Sequence, residues 1–237
     1  MKVVVTAGPT REFLDPVRFL SNPSTGKMGF AVATEAARRG HDVTLVAGPV
    51  SLSTPKGVQR IDVVSARDML RETRRAAKDA DALVATAAVA DWRPAACAKR
   101  KLKKGEMKPF VRLVRNPDVL KTVKCPLKVG FAAETGDPVV EAVRKCREKN
   151  LAFVVANDVT APGAGFGVDT NRAALVFSDG RIERLPLMTK RALARRIVAA
   201  AERLSVSHPI DFQTEVLVKY APTSKRRGSS VGRAKDS

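Results

Sequence analysis

The sequence predicts an α/β protein: a doubly wound, mostly parallel, Rossmann-like sheet with an inserted basic loop and a late β-hairpin. Two observations predict it. Short runs of continuous apolar residues, typical of parallel strands buried on both faces, alternate with stretches of helical periodicity. Towards the C-terminal end, Asp179-Gly180 separates two apolar runs, which is a strong signal for a hairpin.

The first half of the chain alternates as βαβαβ. Gly40 stands where a left-handed residue is expected to end a helix, and Ser65 and Asp68 have the spacing of a capping box that begins one. The predicted elements are a strand over residues 2–7, a helix over about 25–39, a strand over 42–47, a helix from 65 to about 78, and a strand over 82–88.

The second half is interrupted before the alternation resumes. Residues 89–108 form a basic, irregular loop, and residues 109–115 are consistent with a strand. Asn116 and Pro117 predict a helix start, with Asn116 as the cap and Pro117 at the first helical position, where it lacks no needed amide. The remaining predicted elements are a strand over 129–133, a helix from 137 to about 149, a strand over 151–156, hairpin strands over 173–178 and 181–185, and a helix from the cap Thr189 to about 204.

We expect one principal domain over residues 1–204 and a C-terminal extension over 205–237. Residues 223–237 are rich in Ser, Lys, Arg and Gly, a composition that favours disorder. The longest apolar runs are far shorter than the roughly 20 residues that cross a bilayer, and no leader-like segment precedes the first strand, so a cytoplasmic protein is expected. Cys97, Cys125 and Cys146 lack metal-ligand spacing and are expected to be free thiols.

The charge balance is strongly basic, with 43 Lys and Arg against 24 Asp and Glu, a formal +19. Such a chain attracts polyanions, so nucleic-acid binding is one alternative function. Aromatic residues make up only 5% of the chain, and it contains no RNP motif, zinc-finger spacing or basic zipper. Small phosphorylated substrates therefore explain the charge better than a specific nucleic acid does.

The loop after the first strand has the composition of an anion site, because small residues lead into a helix start there. It is not a Walker A loop, since Ser21 and Met28 occupy the positions that need Gly and Ser or Thr. The second strand ends without the acid that takes ribose hydroxyls in dinucleotide sites, which disfavours NAD. The glycines alone could simply permit close helix packing, but that does not explain the polar residues beside them.

The loop after the third strand has small side chains that let a flat base or ribose approach the backbone. Asp91 there is placed to orient a nucleotide or a metal ion. Lys101 begins a lysine run ten residues later; a lysine run is usually a solvated face, but its position beside this loop favours a function for Lys101.

Together these segments resemble phosphopantothenate–cysteine ligase, also called phosphopantothenoylcysteine synthetase, of the bacterial CTP-dependent type. The resemblance covers about residues 3–204. The segments that carry it are TAGPTRE (6–12), DPVRF (15–19), SN (21–22), GKMG (26–29), AAVAD (87–91), KLKK (101–104), NPD (116–118), GFAAET (130–135) and ANDV (156–159).

The resemblance implies a ligase of coenzyme A synthesis. The carboxylate of 4'-phosphopantothenate would attack CTP, with Mg²⁺ as cofactor, to give an acyl cytidylate and pyrophosphate, and L-cysteine would then displace CMP. Lys101 would serve activation, while Asn22 and Arg18 would hold the acyl intermediate. Nucleotide contacts are implied for Ala85, Thr86, Ala87, Asp91, Lys101, Pro117, Asp118, Val119, Leu120, Phe131, Lys145 and Lys149, and contacts with the substrate phosphate or intermediate for Gly8, Ser24, Gly26, Lys27 and Ala88.

Alternatives remain at several of these points. Phe131 is equally consistent with a core residue, Lys145 and Lys149 with a solvated helix face, and the fold with a nicotinamide-dependent oxidoreductase. The metal ligands cannot be assigned from the sequence. The resemblance also implies a homodimer, in which residues 160–172 and the hairpin are available to complete a neighbour's site. Because Met1 abuts the first strand, no fused flavin-dependent decarboxylase is expected. Pro23 and Thr25 depart from the residues that are commoner in the family's motif around Asn22 to Gly29.

Overall fold

The structure, a computed structural model, describes residues 1–105 and 110–206. Within these ranges the strands are β1 (Lys2–Ala7), β2 (Arg11–Phe13), β3 (Phe19–Ser21), β4 (Asp42–Ala47), β5 (Val58–Asp62), β6 (Ala82–Ala85), β7 (Trp92–Pro94), β8 (Leu113–Arg115), β9 (Leu127–Glu134), β10 (Phe153–Asp158), β11 (Thr170–Asn171), β12 (Ala173–Phe177), β13 (Ile182–Arg184) and β14 (Met188–Thr189). The α-helices are α1 (Lys27–Arg38), α2 (Ala66–Ala76), α3 (Val119–Thr122), α4 (Val139–Glu148) and α5 (Lys190–Val206).

Eight strands form one sheet in the order β13-β12-β10-β9-β6-β1-β4-β5, and the predicted fold class is confirmed. The six strands from β10 to β5 are parallel, whereas β12 and β13 are antiparallel and form the predicted hairpin. Alternate side chains of β1 enter different clusters: Val3 and Val5 pack with α1 and α5, and Val4 packs with α2. The sheet is therefore covered on both faces, as a continuous apolar strand requires.

Three small features were not predicted. β5 is an edge strand of the sheet with polar and half-exposed residues, so it lacks the apolar run of a central strand. β2 and β3 form a hairpin inside the first loop, and β7, inside the basic loop, forms an antiparallel ribbon with β8, which lies within the strand predicted over 109–115. The strand predicted over 82–88 ends at Ala85, and Ala88 continues it only as an isolated bridge to Pro9.

The helix starts agree with the sequence at two places and differ at one. Ser65 and Asp68 form the predicted capping box, and Thr189 Oγ1 accepts a hydrogen bond from Ala192 N at 3.1 Å. The predicted cap Asn116 is wrong, because α3 is capped by Asp118, whose carboxylate accepts from Lys121 N at 3.0 Å. Pro117 therefore lies before the helix, where its missing amide is equally harmless.

No helix in the described part of the chain is long and apolar enough to cross a membrane. The three cysteines are free, as predicted: Cys97 is exposed and Cys146 is buried. The disorder predicted for residues 223–237 concerns residues outside those that the structure describes.

Candidate active site

A cavity of about 730 Å³ opens at the carboxyl ends of the parallel strands, where ligands bind in doubly wound folds. It collects most of the residues singled out in the sequence. All but three of them line it, namely Asn22, Ser24, Gly26, Lys27, Ala85, Thr86, Ala87, Ala88, Asp91, Pro117, Asp118, Val119, Leu120, Phe131, Lys145 and Lys149.

The start of α1 forms one wall of the cavity. Gly26 caps the helix with φ 76°, a conformation that suits glycine, and no side chain caps the first amides. Gly29 lets the helix begin against the sheet, because a Cβ there would lie 2.4 Å from Thr86 Oγ1. An uncapped helix start without an acidic residue in its first turn is a favourable place for an anion.

Asn22 is held at the edge of this wall by the backbone of the opposite loop. Its Nδ2 donates to Ala88 O at 3.0 Å, and the neighbouring Ser21 Oγ donates to Thr10 O at 2.8 Å. The first hydrogen of the Asn22 amide is thus used for positioning. The second remains available to a ligand, because the side chain lines the cavity.

Threonine hydroxyls and an asparagine shape the loop after β6. Thr86 Oγ1 donates to Thr6 O at 2.7 Å, and Ala90 N donates to Thr10 Oγ1 at 3.0 Å. Asn116 Nδ2 donates to Ala90 O at 2.8 Å, which explains why it is not a helix cap. These contacts fix a wall of small side chains with the carboxylate of Asp91 at its end.

Two lysines of α4 and their acidic partners form the opposite wall. Lys149 Nζ pairs with Asp118 at 2.7 Å, and Lys145 Nζ lies 3.4 Å from Glu134. Burial disfavours the charge of Asp118, but the hydrogen bonds and positive charges of Lys149 and Lys121 together outweigh it, and the pKa of this carboxyl lies below its usual range. Both lysines line the cavity, and neither is a purely solvated surface residue.

Three singled-out residues lie outside the cavity lining. Arg18 pairs with the buried Asp15 at 2.5 Å and donates to Leu102 O at 2.8 Å, and the arginine holds the pKa of Asp15 well below its usual range. Lys101 is exposed beside Leu102. Gly8 faces Gly48 and Val50 instead, with φ 78°.

Further residues line the cavity that the sequence analysis did not single out as site residues, among them Asn157, Phe166, Asn171 and Lys190. Lys190 is 7% exposed and Asn171 is 4% exposed. A signal for Lys190 existed, because it is a lysine at the start of a largely apolar helix. Asn171 carried no local signal, since its place depends on β11 pairing with β14.

Comparison with known proteins decides the family. The model for the DNA/pantothenate metabolism flavoprotein C-terminal domain matches residues 1–204. The chain belongs to this family. The solved C-terminal domain of coenzyme A biosynthesis bifunctional protein CoaBC is 37% identical, with a TM-score of 0.75, over 87% of this chain and 96% of that domain.

Curated relatives of this flavoprotein C-terminal domain are longer proteins. The bifunctional CoaBC of Vibrio parahaemolyticus is 45% identical over 209 residues, which are 85% of this chain and 52% of that protein. The CoaBC of Bacillus subtilis is 47% identical over 232 residues, which are 95% of this chain and 52% of that protein. The chain thus spans about half the length of the curated relatives it matches.

Proposed function

We propose that this chain joins L-cysteine to 4'-phosphopantothenate in coenzyme A biosynthesis, activating the substrate carboxylate with CTP. The observation that carries the proposal is the cavity itself. It combines an uncapped helix start, a wall of small residues with one carboxylate, and a lysine wall, within a domain family of pantothenate metabolism. Catalysis of such an activation consists mainly of positioning and charge neutralisation, and this cavity is suited to both.

The first step of the proposed reaction is an attack on phosphorus. A carboxylate oxygen of the substrate forms a bond to the α-phosphorus of CTP, the bond to the β-phosphate oxygen breaks, and its electron pair leaves with pyrophosphate. Lys145 and Lys149 are placed to bind the nucleotide, whose base or ribose fits against the small residues after β6. Lys101 is proposed to neutralise phosphate charge when its loop meets the bound nucleotide.

The second step is acyl transfer. The amine of cysteine attacks the acyl carbon, CMP leaves with the electron pair of the broken C–O bond, and the amine loses a proton. The free hydrogen of the Asn22 amide is placed to bond the oxygen on which charge develops. A carboxylate in place of the Asn22 amide would instead repel the negative charge that develops on this oxygen.

Mg²⁺ fits the donors that this cavity offers. Magnesium usually keeps several waters and is bound through one or two carboxylates together with substrate phosphates. The described residues contain no group of three His, Cys, Asp or Glu that forms a cage for a metal ion, and among the lining carboxylates Asp118 is engaged by Lys149. Asp91 is therefore the residue that would hold the ion, which would neutralise phosphate charge.

The deciding experiment measures pyrophosphate release with 4'-phosphopantothenate, using CTP and ATP in parallel, with and without cysteine. We expect release with CTP, roughly one equivalent per site without cysteine, and sustained turnover with it. Pantothenate without the phosphate is the matched control. Pyrophosphate release that does not depend on 4'-phosphopantothenate would contradict the proposal. A preference for ATP would show that the co-substrate is ATP and not CTP.

We also propose a homodimer. β2 and β7 lie side by side, and Val17, Phe19, Leu20, Trp92 and Leu113 are exposed around them, an apolar patch that a partner would cover. Arg18 lies on this hairpin and outside its own cavity, so the arrangement suits an arginine that acts in a neighbour's site. Residues 160–172 contribute Gly165, Phe166 and Asn171 to the cavity of their own chain, and their contribution to a neighbour's site stays a prediction.

The dimer is tested by charging its patch. Phe19→Asp should give monomers in sedimentation experiments and lower activity, whereas Val140→Asp, at an exposed apolar site on α4, should leave the oligomer intact. A fully active monomer at assay concentration would contradict the dimer.

The oxidoreductase alternative finds no support. β4 ends at Ala47 and continues as Gly48-Pro49, without an acidic side chain for ribose hydroxyls, and the family match is to a domain of pantothenate metabolism. A cytoplasmic location accompanies the proposed function, because it supplies the phosphorylated substrates.

A further inference from the structure

Lys190 is a buried ammonium that the proposed reaction does not yet use. It is the first residue of α5, it is 7% exposed, and it lines the cavity. Its Nζ donates to Val168 O at 2.6 Å and to Gly165 O at 3.1 Å. Two neutral carbonyls compensate a buried charge poorly, which makes the position costly unless it serves a ligand.

A second ammonium stands close by. Lys27 Nζ donates to Gly167 O and pairs with Asp169, both at 2.7 Å, so the two lysines bind one short loop, residues 165–169. Burial lowers the pKa of Lys190, and the charge of Lys27 lowers it further. Two ammoniums bound to one short loop attract an anion between them.

Asn171 supplies an independent sign of a ligand at this place. It is 4% exposed, it lines the cavity, and its Oδ1 is buried without a hydrogen-bond partner among the described residues. A buried polar atom without a partner is unfavourable for folding, so such an atom calls for an explanation. Because amide oxygen and nitrogen exchange places by a flip, this side chain can meet either a donor or an acceptor on a ligand.

We infer that Lys190 and Lys27 together bind the diphosphate portion of the nucleotide, and pyrophosphate once it has been released. This inference rests on the proposed function. The two lysines adjoin the uncapped start of α1, whose amides favour the same anion. A leaving group held by two ammoniums is stabilised as its negative charge develops.

Asp169 is then an exchangeable counter-ion. Its side chain is 85% exposed while it pairs with Lys27, and exposed ion pairs of this kind contribute little to stability. A diphosphate can therefore displace it at little cost. Removal of the Asp169 charge should make the site bind diphosphate more tightly, which is the opposite of what a purely structural aspartate would do.

The test titrates the full-length protein with inorganic pyrophosphate and, separately, with CMP, which lacks the β- and γ-phosphates. Lys190→Met and Lys27→Met should each raise the Kd for pyrophosphate about 10- to 100-fold and leave the Kd for CMP within about twofold. Lys190→Arg should recover much of the loss. Asp169→Asn should lower the Kd for pyrophosphate by up to about fivefold.

Lys56→Met is the matched control for net charge. Lys56 is exposed just before β5, at the opposite edge of the parallel sheet from the cavity, and its loss should leave the Kd for pyrophosphate unchanged. If Lys190→Met weakens the binding of pyrophosphate and of CMP equally, the lysine only supports the loop. The inference is also overturned if Lys190→Met leaves the Kd for pyrophosphate unchanged, or if the wild-type protein does not bind pyrophosphate. If the wild-type protein ligates cysteine but the variants do not change the Kd for pyrophosphate as expected, only this inference is refuted. If the Kd values change as expected but the wild-type protein does not ligate cysteine, only the proposed function is refuted.

Discussion

Substitution of Asn22 by aspartate should separate the two half-reactions of the proposed ligase. The substitution keeps the shape of the side chain but replaces its donor by a carboxylate oxygen. In the structure this oxygen would face Ala88 O, to which Nδ2 now donates at 3.0 Å. It would also place a negative charge in the cavity that receives phosphates.

The structural and catalytic costs of this change differ in size. Loss of one neutral hydrogen bond costs about 1 kcal/mol, because Ala88 O still accepts from Thr10 N at 3.3 Å, and this lowers the Tm of a chain of this length by about 2–4 °C. The protein therefore stays folded at assay temperature. Removal of a donor that stabilises developing negative charge typically costs 10²- to 10³-fold in rate, about 2.7–4 kcal/mol, and the added charge deepens the loss.

The assay follows pyrophosphate and the acyl cytidylate separately. Asn22→Asp should release at most about one pyrophosphate per site and accumulate phosphopantothenoyl cytidylate, which mass spectrometry detects. Lys101→Gln is the complementary variant and should abolish pyrophosphate release even without cysteine. Asn22→Ser, which keeps a donor but adds no charge, controls for the carboxylate. Equal impairment of both half-reactions in both variants, with normal melting curves, would refute the assigned roles.

Three further predictions concern stability. Gly29→Ala should lower the free energy of unfolding by about 1–3 kcal/mol, because its Cβ would lie 2.4 Å from Thr86 Oγ1; an unchanged denaturant midpoint would show that α1 can shift. Glu12→Ala should cost roughly 1–3 kcal/mol, since its buried carboxylate accepts from the first amide of α2 at 2.8 Å; chemical denaturation measures the loss. The bond from Arg38 lowers the pKa of Glu35 to about 2, so this carboxylate stabilises the fold above its ordinary pKa of 4.5, and the stability gap between wild type and Glu35→Gln should shrink as the pH falls from 4.5 towards 2. A gap independent of pH would exclude this role.

The central strands and most helices could be predicted because their signals are local. Val3 to Val5 form a run that only a doubly buried strand explains, and the Ser65 capping box is contained in four residues. β2, β3 and β7 escaped prediction because they have three residues each, too few to show a period. Asn116 was misassigned because capping propensity does not distinguish it from Asp118, two residues later, and the choice depends on a tertiary bond to Ala90.

The difference between local signals and tertiary contacts also decides which residues of the candidate site could be predicted. Asn22, Asp91 and Asp118 belong to motifs whose resemblance carries their positions, and the fold places all three around one cavity. Arg18 belongs to such a motif too, yet a motif cannot tell which cavity a side chain enters, since that depends on the pairing of Arg18 with Asp15 and on any neighbouring copy.

Lys190 shows how a site residue can be recognised when no motif marks it. Its position begins an amphipathic helix, where a lysine would ordinarily reach solvent, but the pairing of β11 with β14 closes residues 165–169 over it. Burial of a charge that is hydrogen-bonded only to neutral carbonyls is unfavourable, and folding alone gives no reason to keep it there. A function that uses the positive charge gives such a reason. The neighbouring Asn171 Oδ1, which has no hydrogen-bond partner among the described residues, points to the same ligand. The positions at which sequence periodicity and burial disagree are therefore where this fold should be searched for further binding residues.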